Sequence, residues 1–216
     1  MGMTTERHRR TVLRLAGVAL SPLLDVAFGA DTGLARSKDA QGRDVSLPEP
    51  QRQGDVSVEA AVSNRRSRRE YGSEPLTLAQ VGQLLWAAQG ITDADADADL
   101  RAAPSAGARY PLEVYVLTGR DGVRDLDAGA YRYRPADHAL RQVRNGEFRA
   151  DLREAALGQD WVGSGAIDLV VTAVDERTTE RYGERGRLRY VPMEAGHAGE
   201  NLALQAVALG LGSVSV

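Results

Sequence analysis

Residues 64–90 read NRRSRREYGSEPLTLAQVGQLLWAAQG. The second half is a helix written out in full. Thr77 and Gln80 form a capping box, and Leu78, Val81, Leu84, Leu85 and Ala88 make one apolar stripe. Gly90 closes the run. Just before it, Arg65, Arg66, Arg68 and Arg69 surround Ser67. A shorter helix precedes the arginines, with Ser57 as cap and Val58, Ala61 and Val62 on its face. An arginine–serine cluster between two helices reads either as an anion grip or as a solvated surface.

Composition narrows the choice. The 216 residues carry 27 Lys+Arg against 30 Asp+Glu, a formal charge of −3. There is no global basic field, so a dedicated nucleic-acid protein is not expected. Cysteine is absent, which excludes disulfides, thiolate zinc sites and thiol catalysis. Lys38 is the sole lysine. At 43% hydrophobic residues, the chain can bury a core as one domain plus a tail.

The chain divides into three. Residues 1–30 have a basic start, Arg9-Arg10-Thr11-Val12-Leu13, then an apolar run broken by Arg14 and Asp25. This reads as a twin-arginine export signal, or alternatively as the N-terminal helix of a cytoplasmic protein. No stable membrane span is expected. Residues 31–55, without periodicity, read as a linker, and order is expected from about Val56. The domain is 56–216.

Within it, LEVYVLT (112–118) and AIDLVVTAV (166–174) read as buried strands, and GAYRYR (129–134) with ALRQVR (139–144) as a hairpin. Phe148, Leu152, Ala155 and Ala156 mark a helix, DERTTERYGERGRLRY (175–190) is partly helical, and a long helix starts near Pro192. SVSV (213–216) opens a strand. Helices and strands mix without βαβ regularity, which favours an α+β fold.

Several chemistries are missing. There is no GxxxxGK[ST], no GxGxxG after a strand and no GxSxG. The acidic run Asp93–Asp99 fails as a calcium loop, since Ala98 and Pro104 stand where Gly and Glu are needed. Glu194 and His197 form one Glu-x-x-His, whereas a di-iron centre needs two; no metal site is expected, and the pair reads as hydrogen-bonded polar residues on a partly buried helix. What remains is the arginine–serine cluster and APSAGARYPLEVYV (103–116), where Ser105 and Gly107 offer a hydroxyl and unshielded amides ahead of a strand.

These two segments, followed in order by GAYRYRPADHALRQV, AALGQDWV and ERYGERGRLRYVPMEAGHAGENLALQAVALGLGSVSV, resemble the FMN-dependent nitroreductase superfamily over about 56–216. The branch they are most similar to is the SagB/ThcOx-type dehydrogenases. The resemblance implies a three-layer α+β fold, a central mostly antiparallel sheet flanked by helices, and an intertwined homodimer with FMN at its interface. It implies that Arg65, Arg66, Ser67 and Arg69 grip the FMN phosphate with Tyr71 packed beside them, and that Pro104, Ser105, Ala106 and Gly107 lie beside the ring. Arginine forks match phosphate oxygens well. It assigns catalysis to Tyr182 and Arg181. Relatives carry Lys-Tyr there, and arginine cannot replace lysine as a general base. Glu200 also replaces the usual glutamine.

The implied activity is transfer of a hydride equivalent between FMN and a small-molecule or peptide substrate. The alternatives are NAD(P)H-dependent reduction of nitro compounds or quinones, and a short, non-catalytic dimerising subunit. Relatives continue beyond the position of Val216 with a helix and a strand that ends near the phosphate, so weak flavin retention is expected.

Overall fold

The computed structural model describes residues 9–10, 12–15, 42–94 and 99–216. Its main sheet has six strands in the order β2-β9-β6-β7-β8-β3. These are β2 (Val12–Leu15), β3 (Asp44–Ser46), β6 (Leu112–Thr118), β7 (Gly129–Arg134), β8 (Ala139–Asn145) and β9 (Ile167–Ala173). Every pairing is antiparallel except β2 with β9. Two small ribbons lie apart: β1 (Arg9–Arg10) parallel to β10 (Leu211–Gly212), and β4 (Ile91–Asp93) antiparallel to β5 (Leu100–Arg101).

The pleat of β6 sorts the core into two. Leu112, Val114 and Val116 point to one face, where they meet Ile167, Leu169 and Val171 of β9. Helix α2 (Leu78–Gln89) covers this face with Val81, Leu84, Leu85 and Ala88, and α5 (Val191–Ala208) with Val191, Ala198, Leu202 and Ala206. Leu117 and Val170 point to the other face, under Leu152 of α3 (Arg149–Ala155), with Val162 and Trp161. The result is helix, sheet, helix: the expected three-layer α+β arrangement.

The local chemistry explains the boundaries. Ser57 Oγ accepts the Ala60 N–H and starts α1 (Val58–Asn64). The Thr77–Gln80 capping box is complete in both directions. Gly90 closes α2, but in extended backbone at φ −65° rather than a left-handed cap. It is needed for closeness: a Cβ there would lie 2.2 Å from Trp86 Cδ1. Helix α4 (Glu176–Tyr182) leads to a π-helical turn, Gly186–Tyr190, which runs directly into α5.

Three expectations need correction. Order begins before Val56: Asp44–Ser46 pairs with β8, and the Leu47 N–H bonds the His138 carbonyl. A three-residue strand is too short to show periodicity. The C-terminal strand is Leu211–Gly212 instead of 213–216; Ser213 continues it by a parallel bridge to Ser67. Of residues 1–30, Arg9–Arg10 and Val12–Leu15 are described, and they are strands rather than helix; the rest of the export-signal reading lies outside the described residues, as do residues 95–98 of the acidic loop.

Leu85 of α2 is 0% exposed, in the core that α2 shares with the sheet and α5. Leu85→Ala should cost about 2–5 kcal/mol in urea unfolding. A loss below about 1 kcal/mol would mean that this interface is not packed as described.

Candidate functional site

The loop 104–110 leads into β6 in a tight and costly conformation. Gly107 (φ 61°), Ala108 (φ 51°) and Tyr110 (φ 45°) are all left-handed. For the two non-glycine residues this costs on the order of 1–3 kcal/mol each. Ser105 offsets part of it: its Oγ accepts the Tyr110 N–H at 2.9 Å, and its carbonyl accepts the Ala108 N–H.

Helix α4 is clamped onto this loop from both sides. Arg109 Nε donates to the Arg177 carbonyl at 2.7 Å, and its Nη2 to Glu180 at 2.6 Å. Arg177 returns the contact, donating to the Tyr110 carbonyl at 3.3 Å and to Glu113 at 2.7 Å. The clamp carries Arg181 and Tyr182 to Gly107. A Cβ on Gly107 would lie 2.7 Å from the Tyr182 hydroxyl oxygen and 3.2 Å from Arg181 Nη1. The Tyr182 ring stands edge-on to Tyr190 at 5.0 Å, with the Arg181 guanidinium 5.4 Å from its own centroid. Three residues selected from two separate motifs therefore share one corner. Pro104 is exposed and Ala106 half-buried on the same loop.

Behind the loop lies Glu194, which sequence reasoning took for a hydrogen-bonded helix residue. It is 3% exposed, and its Oε1 makes no hydrogen bond. Burial pushes its carboxyl up to about 7, against the opposing pull of Ser105, Arg101 and Gln89. The signal for it was available. Val191, Glu194, Ala198 and Leu202 recur at helical spacing, so Glu194 occupies the buried stripe of α5.

The arginine cluster follows α1. The Arg65 N–H closes that helix on the Ala61 carbonyl, and its guanidinium is 3.6 Å from Glu200 of α5. Arg66 donates to the carbonyls of Ser63 and Arg65. Exposed Ser67 bridges Ser213, and the Arg68 N–H bonds the Ser213 carbonyl at 2.8 Å. Arg69 lies over the Trp161 ring at 5.0 Å. The Tyr71 hydroxyl beside it is buried without a hydrogen-bond partner, and burial, then Asp168, raise its pKa.

Among the described residues, no hydrogen bond, ion pair or ring contact joins Arg65–Arg69 to loop 104–107. Both sit against α5, at Glu200 and Glu194 respectively. Six residues of helix separate those points, about 9 Å along the axis.

With this geometry in hand, comparison with known proteins is decisive. The model of the family described as Nitroreductase family matches residues 62–216. The chain belongs to the nitroreductase family. A Methanocaldococcus jannaschii protein provisionally named nitroreductase MJ1384 is 42% identical over 176 residues, 80% of this chain and 83% of that protein. The trifolitoxin-processing protein TfxB of Rhizobium leguminosarum bv. trifolii is 33% identical over 115 residues, 51% of this chain and 30% of that one. A crystal structure of a provisionally named nitroreductase from Ralstonia eutropha JMP134 superposes with a TM-score of 0.66 at 33% identity, covering 79% of this chain and 74% of that one. The nitroreductase-like fold and the oxidoreductase class follow.

Glu194 should leave a pH signature. Its folded pKa, about 7, lies above the ordinary 4.5, so the folded state holds the extra proton between these values. Stability should therefore fall as pH rises from about 4.5 to about 7, by about 1.4 kcal/mol per unit of raised pKa. Glu194→Gln should flatten that slope in urea titrations at a series of pH values. An unchanged slope in the variant would remove Glu194 as its cause.

Proposed function

We propose that the chain is an FMN-dependent oxidoreductase of the SagB/ThcOx type, acting as a homodimer on a small-molecule or peptide substrate. The observation that carries this is the corner where Gly107 meets Tyr182 and Arg181. Likeness to a trifolitoxin-processing protein supports the branch.

The residues present fit the cofactor. Among the described residues, Arg66 and Arg69 have no carboxylate partner, so their charge is available to a phosphate. Arg65 would add its fork, and Ser67 a hydroxyl. The missing Cβ of Gly107 lets the Tyr182 hydroxyl and the Arg181 guanidinium close up against the loop whose Pro104, Ser105 and Ala106 would line the edge of the ring. FMN, when bound, supplies the acceptor for a hydride equivalent. In this reading Tyr182 holds or moves a proton at its hydroxyl oxygen. Arg181 keeps its charge throughout and binds or orients the substrate.

The purified protein, supplied with FMN, should show a flavin absorbance spectrum, with FMN identified after release. Arg65→Ala and Arg69→Ala should each weaken FMN binding tenfold or more while circular dichroism stays unchanged, since a charge-assisted hydrogen bond contributes about 1.5–3 kcal/mol. A folded, colourless wild-type protein in excess FMN would sink the reading.

Identity to the Methanocaldococcus jannaschii nitroreductase favours a second reading, NAD(P)H-dependent nitro or quinone reduction. Anaerobic stopped-flow separates the two. Fast bleaching of bound flavin by NADPH alone selects the reductase; bleaching only by an organic substrate selects the dehydrogenase.

A further inference from the structure

A cavity of about 310 Å³ opens beside the candidate site, walled by the start of β6, the end of β7, residues 109–110 and α4. Four guanidiniums line it: Arg101, Arg109, Arg132 and Arg177. They do not cancel against their surroundings. Arg132 and Arg177 share a single carboxylate, Glu113, each at 2.7 Å. Arg109 takes Glu180. Arg101 donates to Gln89 and lies 4.6 Å over the Tyr110 ring, and its buried Nε has no hydrogen-bond partner. Four cations thus face two carboxylates, and the buried Glu194 behind them feels the Arg101 charge.

A second observation points the same way. Gln89 lines the cavity, is 1% exposed, and is committed to the chain itself: its amide helps hold down the Glu194 carboxyl, while its Oε1 accepts from Arg101. The buried Arg101 Nε has no such partner; a buried donor left unpaired costs about 1–3 kcal/mol, so its retention among a surplus of guanidinium N–H groups calls for an acceptor from outside the chain. Leu112, Val114, Tyr133 and Pro135 add a smaller apolar portion to a mostly polar lining. Such a wall suits an organic body carrying one acidic group.

We propose that this cavity binds the carboxylate of a small organic acid. A carboxylate is planar and singly charged, which matches the paired N–H groups of a guanidinium. Phosphate would bring more charge against Glu113, whose carboxylate lies on the same wall. The cavity adjoins the Tyr182 corner. Arg109 is two residues from Gly107, at most about 7 Å of chain, and Arg177 is one helical turn from Arg181, about 6 Å. A bound acid is therefore placed to present its other end to Tyr182. This last step, which makes the acid the substrate, rests on the flavin reading; the binding site itself does not.

Isothermal titration of the full chain at low salt tests it, with benzoate as one probe and inorganic phosphate as the other. Benzoate should bind once per chain. Arg101→Gln and Arg132→Gln should each weaken it tenfold or more. Arg144→Gln, outside the cavity, should leave it unchanged. Circular dichroism monitors folding. Should Arg101→Gln unfold, Arg132→Gln decides, because Arg177 still neutralises Glu113 in that variant. Absence of benzoate binding to the wild type, full affinity in Arg132→Gln, equal loss in Arg144→Gln, or phosphate binding in place of benzoate would each overturn the proposal. Repeating the titration with and without FMN separates the two readings, since benzoate binding without flavin binding sinks the flavin reading alone.

Discussion

The close seating of α5 on α2 is the constraint from which the rest of the molecule is built. A small residue helps: Ala198 is buried in the core that α5 shares with α2. Asn201 then fixes the seat. Its amide nitrogen donates both to the Ala87 carbonyl, in the last turn of α2, and to the Ala102 carbonyl, just ahead of the 104–110 loop. The final carbonyls of a helix lack partners within it, so one amide completes α2 and pins the loop that follows. That contact ties the start of the loop to α5, on the side opposite the α4 clamp.

Most of the framework was legible because its signals are local. The capping box, the stripe of α2 and the apolar runs of β6 and β9 depend on near neighbours in sequence. What was not legible depends on distant partners. Asp44–Ser46 becomes a strand because β8 offers it an edge, and nothing in Asp-Val-Ser announces that. Gly90 looked like a left-handed cap and proves to be a clearance for Trp86. The site shows the same division. The arginine cluster and the 104–107 loop stood out as motifs, but the meeting of Gly107 with Tyr182 spans seventy-five residues and passes through Arg109 and Arg177, which no motif marked.

That reciprocal clamp also explains how the loop keeps a strained backbone. Ala108 and Tyr110 hold positive φ because the surrounding bonds over-determine them: Ser105 from within the loop, Arg177 from α4. Strain of this kind is kept where rigid placement is useful. Here the group placed is the phenol of Tyr182, with the Arg181 guanidinium beside it. In the proposed reading, proton transfer at this corner falls to Tyr182, and Arg181 binds or orients the substrate.

The π-helical turn at Gly186–Tyr190 has its own consequence. The Val191 N–H reaches back five residues to the Gly186 carbonyl, one more than in an α-helix. That extra residue sets the rotational phase of everything downstream. Each residue of α-helix turns the chain by about 100°, so losing one position between 186 and 190 would swing the inward stripe of α5 by that angle and bring Glu194 round toward solvent. The number of residues in this turn is therefore under tighter constraint than their identity: Leu188 and Arg189 are exposed and can vary, but the count cannot.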